Sequence, residues 1–172
     1  MNIVLIGLPS SGKTSVGKKL ATKLNFDFID IDDLISKIHK INKKENHNVQ
    51  TIYQKYGKNY FREIEKRAIK KVKTFENCVI ATGGGAIENK KNAEILRENN
   101  KIIFLDCNID ILLKRIENQP ARPIFEKSNP SDLLKEISEK RTPLYKKLSD
   151  KTIDVSSNSI DEIVNNILEM IS

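Results

Sequence analysis

Five short, nearly unbroken apolar runs alternate with amphipathic stretches along this chain, and no other feature narrows its possible folds as far. The runs are "NIVLI" (2–6), "FDFID" (26–30), "NCVIA" (77–81), "KIIFLD" (101–106) and "KTIDV" (151–155). Between the first two, "KTSVGKKLATKL" turns Val16, Leu20 and Leu24 to one side of a helix. "DLISKIHKI", "NAEILRE", "NIDILLKRIE", "LLKEISEKRTPLYKKL" and "SIDEIVNNILEMI" repeat the helical spacing, and "VQTIYQKYGKNYFREIEKRAIKKV" predicts two helices broken near Gly57. "NQPARPIFEKSNPSD" has three prolines and reads as an exposed loop. Strands this apolar must be covered on both faces. The expectation is therefore an α/β fold, a three-layer arrangement of a five-stranded parallel sheet between helices, in one domain over 1–172.

The first strand runs straight into "GLPSSGKT", Gly7 to Thr14, which fits the pattern G-x-x-x-x-G-K-[ST] between a strand and a helix. Such a loop turns its backbone N–H groups and the helix N-terminus towards phosphate oxygens. Lys13 is placed to reach the β- and γ-phosphates of a nucleotide, and the Thr14 hydroxyl to ligate Mg²⁺. Gly7, Ser10, Ser11, Gly12, Lys13, Thr14 and Ser15 are thus the expected nucleotide-binding residues. Many such loops have glycine where Ser10 stands; if that position needs a positive φ, serine costs on the order of 1 kcal/mol.

A nucleotide loop alone leaves hydrolase, switch and kinase open. Asp30 and Asp32 lie at the carboxyl end of the second strand, where ligands of open α/β sheets bind. One carboxylate can order a magnesium shell while the other takes the proton of an acceptor hydroxyl. The competing expectation is helix capping by Asp32 or Asp33. In "YFREIE", Arg62 and Glu65 stand three apart, either as a simple surface pair or with Glu65 orienting the guanidinium for an anionic group. Arg122 falls in the proline-framed loop, which suits a lid over the phosphates. Arg115 is placed to lie on an adenine, and Arg141 precedes Pro143.

"ATGGGAI" places three of the chain's seven glycines together at Gly83, Gly84 and Gly85. Either something approaches that backbone more closely than a Cβ allows, or a turn there needs positive φ.

The formal net charge of +7 comes from scattered lysines, not interleaved with aromatics, which suits solvated helix faces better than a nucleic-acid surface. No apolar stretch approaches the ~20 residues of a membrane span, and the start lacks the basic region of a signal peptide. Cys78 and Cys107 read as packing residues in a reducing cytoplasm, and His39 and His47 as surface histidines.

Taken in order and spacing, "GLPSSGKT", "DID", "FREIE", "GGG", "ARPIF" and "RTPLY" resemble the shikimate kinases, nucleoside-monophosphate-kinase-like P-loop proteins. The resemblance implies ATP as phosphoryl donor with Mg²⁺, shikimate as acceptor through its 3-hydroxyl, and a cytoplasmic monomer without nucleic-acid or membrane partners. It implies Asp32 as base on the acceptor hydroxyls and Asp30 at the magnesium shell. Arg62, braced by Glu65, and Arg141 would clamp the shikimate carboxylate, beside amides of Gly83–Gly85. Arg122 would enter with the lid, and Arg115 would stack on adenine near "DVSSN" (154–158). The implied regions are the loop 7–14, substrate-binding helices over 32–73 and a lid over 117–130. The polar segment 39–52 matches the family weakly. Gluconate kinases and nucleotide kinases share the loop and lid but lack this combination of triplet and arginine motifs. A nucleotide-binding regulator without turnover would have no need of Lys13, Thr14, Asp32 and Arg122 together.

Overall fold

The computed structural model describes residues 1–118 and 129–171. Five strands form: β1 (Asn2–Ile6), β2 (Asp27–Asp30), β3 (Cys78–Ala81), β4 (Asn100–Asp106) and β5 (Lys151–Asp154). They pair in the order β2-β3-β1-β4-β5, all parallel, as the five apolar runs require. Val4 lies between Ile80 and Ile102 at the centre of the sheet. Val4, Leu5, Ile80, Ile103 and Phe104 are completely buried, each such side chain stabilising the fold by about 1.5–3 kcal/mol. At the opposite, amino end of the sheet the buried Asn2 side chain bonds Phe75, Cys78 and Asn100, fixing where three segments meet.

Among the described residues, seven helices flank the sheet: α1 (Lys13–Leu24), α2 (Ile31–Lys43), α3 (Val49–Lys70), α4 (Lys90–Arg97), α5 (Ile109–Glu117), α6 (Pro130–Leu148) and α7 (Ile160–Ile171). α1 buries Val16 and Leu20, packs Leu24 at the margin of the core, and lies against β2, β3 and α7. α3 is broken at Gly57, where φ is 80° and ψ 172°. Among the described residues nothing lies within 4 Å of where its Cβ would stand, so the backbone conformation, not crowding, selects glycine. The predicted break is therefore present, and the part of α3 beyond it carries Arg62 and Glu65. α6 begins at Pro130, inside the stretch expected to be loop. Proline suits a first helical turn, and the Asn129 side chain accepts the Ser131 amide.

β1 leads to β2 on one side of the sheet, whereas β3 crosses to β4 on the other. The sheet thus has its topological switch between β1 and β3, whose carboxyl ends carry the phosphate-loop sequence and the glycine triplet. Cys78 and Cys107 are buried free thiols, pushed above the usual thiol pKa by burial. His39, expected at the surface, is instead completely buried between α2 and α3, because four aromatic or imidazole rings gather there. Among the described residues no helix is long and apolar enough to cross a membrane.

Candidate active site

A crevice of about 480 Å³ opens at the switch point, lined by the loop after β1 and by Asp30, Asp32, Gly83, Gly84 and Arg115. The helices α2 to α7 all have a side chain capping their first turn, from Asp30, Asn48, Asn89, Asn108, Asn129 and Ser159. α1 begins after Gly12 with no side-chain cap and no acidic residue in its first turn. Its amides and the positive end of its dipole therefore face the crevice. Ser10 has φ 63°, so this loop does hold serine in the left-handed region. Lys13 Nζ donates to the carbonyls of Gly7 and Leu8 at 2.9 and 2.8 Å, keeping the ammonium over the loop.

Thr14 Oγ1 donates to Asp30 Oδ2 at 3.0 Å, while Asp30 Oδ1 accepts the Asp32 amide at 3.0 Å. Asp30 is therefore the cap of α2, correcting the expectation of Asp32 or Asp33. One carboxylate both starts the helix and stands against the phosphate loop. With Asp30 as cap, Asp32 in the first turn lines the crevice.

Side chains also gather around the glycine triplet. Arg62 Nη1 donates to both oxygens of Glu65 at 2.7 and 2.9 Å, and Glu65 is only 3% exposed. The pair exists as the i,i+3 spacing predicts, and its burial means that the guanidinium is held rather than solvated. Burial raises the Glu65 carboxyl pKa, against the pull of Arg62 and then Arg141. Arg141 Nε donates to Glu88 Oε1 at 2.6 Å, and Lys140 Nζ to Glu88 Oε2 at 2.6 Å. Burial pushes the Glu88 pKa up, but these two partners outweigh it and hold the carboxyl below its usual range. Arg62, Glu65, Gly85 and Glu88 line a separate hollow of about 210 Å³.

Gly83, Gly84 and Gly85 are absent from the positions with positive φ, so the turn explanation fails. Close approach is the cause. A Cβ on Gly83 would stand 3.2 Å from Asp32 Oδ1, and one on Gly84 3.2 Å from Arg141 Nη1. One on Gly85 would stand 2.6 Å from Arg62 Nη2 and 3.1 Å from Arg141 Nη2. Two guanidiniums and a carboxylate thus converge on three consecutive residues without side chains. Two like charges brought together this way favour an anion shared between them.

Arg115 donates from Nη1 to Ser10 O at 3.3 Å and from Nη2 to Val155 O at 3.1 Å. This spans the crevice mouth between the phosphate loop and the segment after β5, at the rim where Asn158 and Ile160 also stand. Arg122 lies outside the described residues, as do positions 119–128 of the expected lid.

Two residues of the site escape a reading of the sequence. Glu88 braces Arg141 from 53 positions away, and only its place just after the triplet hints at it. Tyr145, 1% exposed, shares its single proton between Gly84 O at 2.5 Å and Gly7 O at 3.1 Å. It joins the triplet to the phosphate loop, and its ring stacks on Phe104 at 5.0 Å. It is the final residue of "RTPLY", but nothing local to that motif shows which carbonyls it meets.

The sequence profile of the shikimate kinase family matches residues 9–172. A shikimate kinase of Thermoanaerobacter pseudethanolicus is 40% identical over 168 residues, covering 98% of this chain and 94% of the relative. One of Caldanaerobacter subterraneus subsp. tengcongensis is 40% identical over 167 residues, covering 97% and 94%. Among solved structures, a shikimate kinase from Acinetobacter baumannii in complex with shikimate superposes with a TM-score of 0.87. It shares 30% identity and covers 99% of this chain and 92% of its own.

Proposed function

Because this chain belongs to the shikimate kinase family, we propose that it transfers the γ-phosphoryl of ATP to the 3-hydroxyl of shikimate. The products are shikimate 3-phosphate and ADP, in the pathway to the aromatic amino acids, and the enzyme acts as a cytoplasmic monomer without nucleic-acid or membrane partners. The observation that carries the reading is the convergence of Asp32, Arg62 and Arg141 on Gly83–Gly85 at one end of a phosphate-loop crevice. Shikimate presents a carboxylate at one edge of its ring and hydroxyls at the other. The two guanidiniums suit the carboxylate, and the aspartate suits the hydroxyls.

In this reading the loop amides of Gly7–Ser15 hold the nucleotide phosphates, and Arg115 lies beside the adenine. Lys13 turns from the Gly7 and Leu8 carbonyls to the β- and γ-phosphates. Arg62 and Arg141, fixed by Glu65 and Glu88, set the ring so that its 3-hydroxyl faces the γ-phosphorus in line with the leaving oxygen. As the new O–P bond forms and the bond to the β-phosphate oxygen breaks, the hydroxyl proton passes to Asp32. Arg122 is assigned to neutralising the transferring group. Reaction of this kind depends on position and charge more than on covalent help, so rigidly braced arginines are the main requirement.

Thr14 and Asp30 fit a magnesium ion. Their oxygens are 3.0 Å apart, close to the roughly 2.9 Å edge of an octahedron with Mg–O distances of about 2.05 Å. When bound, the ion would be held by Thr14 and Asp30 and would offset the negative charge of the phosphates.

A coupled ADP-release assay with MgATP, offering shikimate, gluconate, AMP and CMP separately, tests the reading. Turnover with shikimate alone is expected. Turnover with AMP or CMP overturns the carboxylate clamp, turnover with gluconate overturns shikimate as the acceptor, and ATP binding without turnover on any of them overturns the kinase reading.

A further inference from the structure

The polar segment joining α2 to α3 holds a cluster for which phosphoryl transfer has no use. His39 lies near the end of α2. Lys44 then turns the chain back through the left-handed region at φ 58°, and this carries Glu45 and His47 over the same helix end. One potential ligand atom from each of His39, Glu45 and His47 lies within 4.8 Å of the other two. The His39 and His47 rings are 5.5 Å apart.

His39 is completely buried, and its Nδ1 is 3.0 Å from the Tyr60 hydroxyl. Its Nε2 is buried too and has no hydrogen-bond partner among the described residues. A buried polar atom left unsatisfied costs about 1–3 kcal/mol, and native structures seldom keep one without a reason. If Nδ1–H donates to Tyr60, Nε2 presents a bare lone pair. That is the arrangement of a metal-ligating histidine, whose second nitrogen is fixed by an outer hydrogen bond. Burial, followed by the charge of His47, lowers the His39 pKa.

Glu45 supplies the anion. Its Oε2 accepts from His47 Nε2 at 2.7 Å, Lys55 Nζ at 2.7 Å and Tyr56 at 2.8 Å, and its pKa falls to about 2. Three donors thus meet on one carboxylate oxygen, the Lys55 ammonium among them, while Lys43 stands over the Tyr56 and Tyr60 rings.

We propose that His39, Glu45 and His47 form a binding site for a divalent transition-metal cation of the zinc class. Two imidazoles, a carboxylate and a water complete the four-coordinate set such ions prefer. The cation takes the place of the Lys55 ammonium on Glu45 and pins the α2–α3 connection ahead of the half of α3 that carries Arg62. The site is independent of the kinase reading and stands or falls without it.

The test uses the full chain stripped of metal, titrated with Zn²⁺ against a chromophoric chelator in excess Mg²⁺. One equivalent of zinc is expected to bind. His47→Ala should weaken it by more than the roughly 10–100-fold that loss of an outer partner costs, and Tyr60→Phe by about that range. Glu45→Gln, on a half-exposed side chain, is a second ligand variant that should lose the zinc without disturbing the fold. Asp30→Asn should leave it unchanged. Co²⁺ should give visible bands of a four-coordinate ion in the parent and none in His47→Ala. Equal zinc affinity in parent, His47→Ala and Glu45→Gln, or a site lost with Asp30→Asn, overturns the proposal.

Discussion

At the proposed nucleotide end of the crevice, the consecutive residues Gly7–Thr14 present main-chain amides and one lysine, ahead of a helix with no side-chain cap among the described residues. At the proposed acceptor end, Asp32, Arg62, Gly85 and Arg141 come from four separate parts of the chain, and the surface is made largely of side chains. The first surface is made by local backbone geometry, so it is rigid as soon as β1 and α1 form. The second needs braces. Glu65 and Glu88 each hold one guanidinium, and the bare backbone of the triplet gives both arginines room. The braces also differ from each other: the Glu65 pKa is raised by burial, whereas the cationic partners of Glu88 hold its pKa down. A phosphate can be recognised by a contiguous loop. A ring with a carboxylate at one edge and hydroxyls at the other needs groups brought in from several directions.

If the two ends are separate in this way, substitutions at the acceptor end should leave nucleotide binding intact. Asp32→Asn is expected to have the largest effect, lowering kcat by about 10²–10⁴-fold with unchanged MgATP affinity. Near-normal turnover in steady-state assays would show that this carboxylate has only a structural place in α2. Gly85→Ala puts a methyl 2.6 Å from Arg62 Nη2. The end of a flexible side chain yields more readily than backbone, so the fold should survive while the guanidinium moves. Losing one charged hydrogen bond at about 1.5–3 kcal/mol raises the shikimate KM by about 10–100-fold, measurable beside an unchanged thermal melt.

Glu65→Gln sharpens the contrast between the braces. A carboxyl whose pKa is raised in the fold favours the folded state fully below its ordinary pKa, and that benefit is lost as pH rises through the raised value. At pH 7 the glutamine variant should therefore melt no lower than the parent, and its relative stability should decline as pH falls towards about 4. Its shikimate KM should still rise, by about 3–10-fold. A variant that is markedly less stable at pH 7 would contradict the burial argument. Tyr145→Phe touches both ends at once, since its hydroxyl reaches Gly84 O and Gly7 O. It should cost about 0.5–1.5 kcal/mol in denaturant unfolding and shift both KM values less than the other variants shift one.

The fold was largely legible in the sequence because its strands and the break in α3 are written in contiguous residues. Apolar runs marked each strand to within a residue or so, and Gly57 marked the break in α3. At the acceptor end, Arg62 with Glu65 was visible through helical spacing. Glu88 and Tyr145 were not, since their partners lie 53 and 61 or more residues away and no periodicity encodes such a pairing. Asp30 as the α2 cap was missed because three aspartates in four positions offer the same chemistry, and only the backbone decides among them. His39 looked exposed by its polar surroundings; the rings of Tyr56, Tyr60 and His47 that cover it come from beyond α2.

The division between the ends is tested most directly by calorimetric titration of shikimate and of MgADP into Arg62→Ala, beside the parent. The account predicts that shikimate affinity falls by about 10–100-fold while MgADP affinity stays within about twofold. A parallel loss of both, or shikimate binding as tight as in the parent, would contradict it.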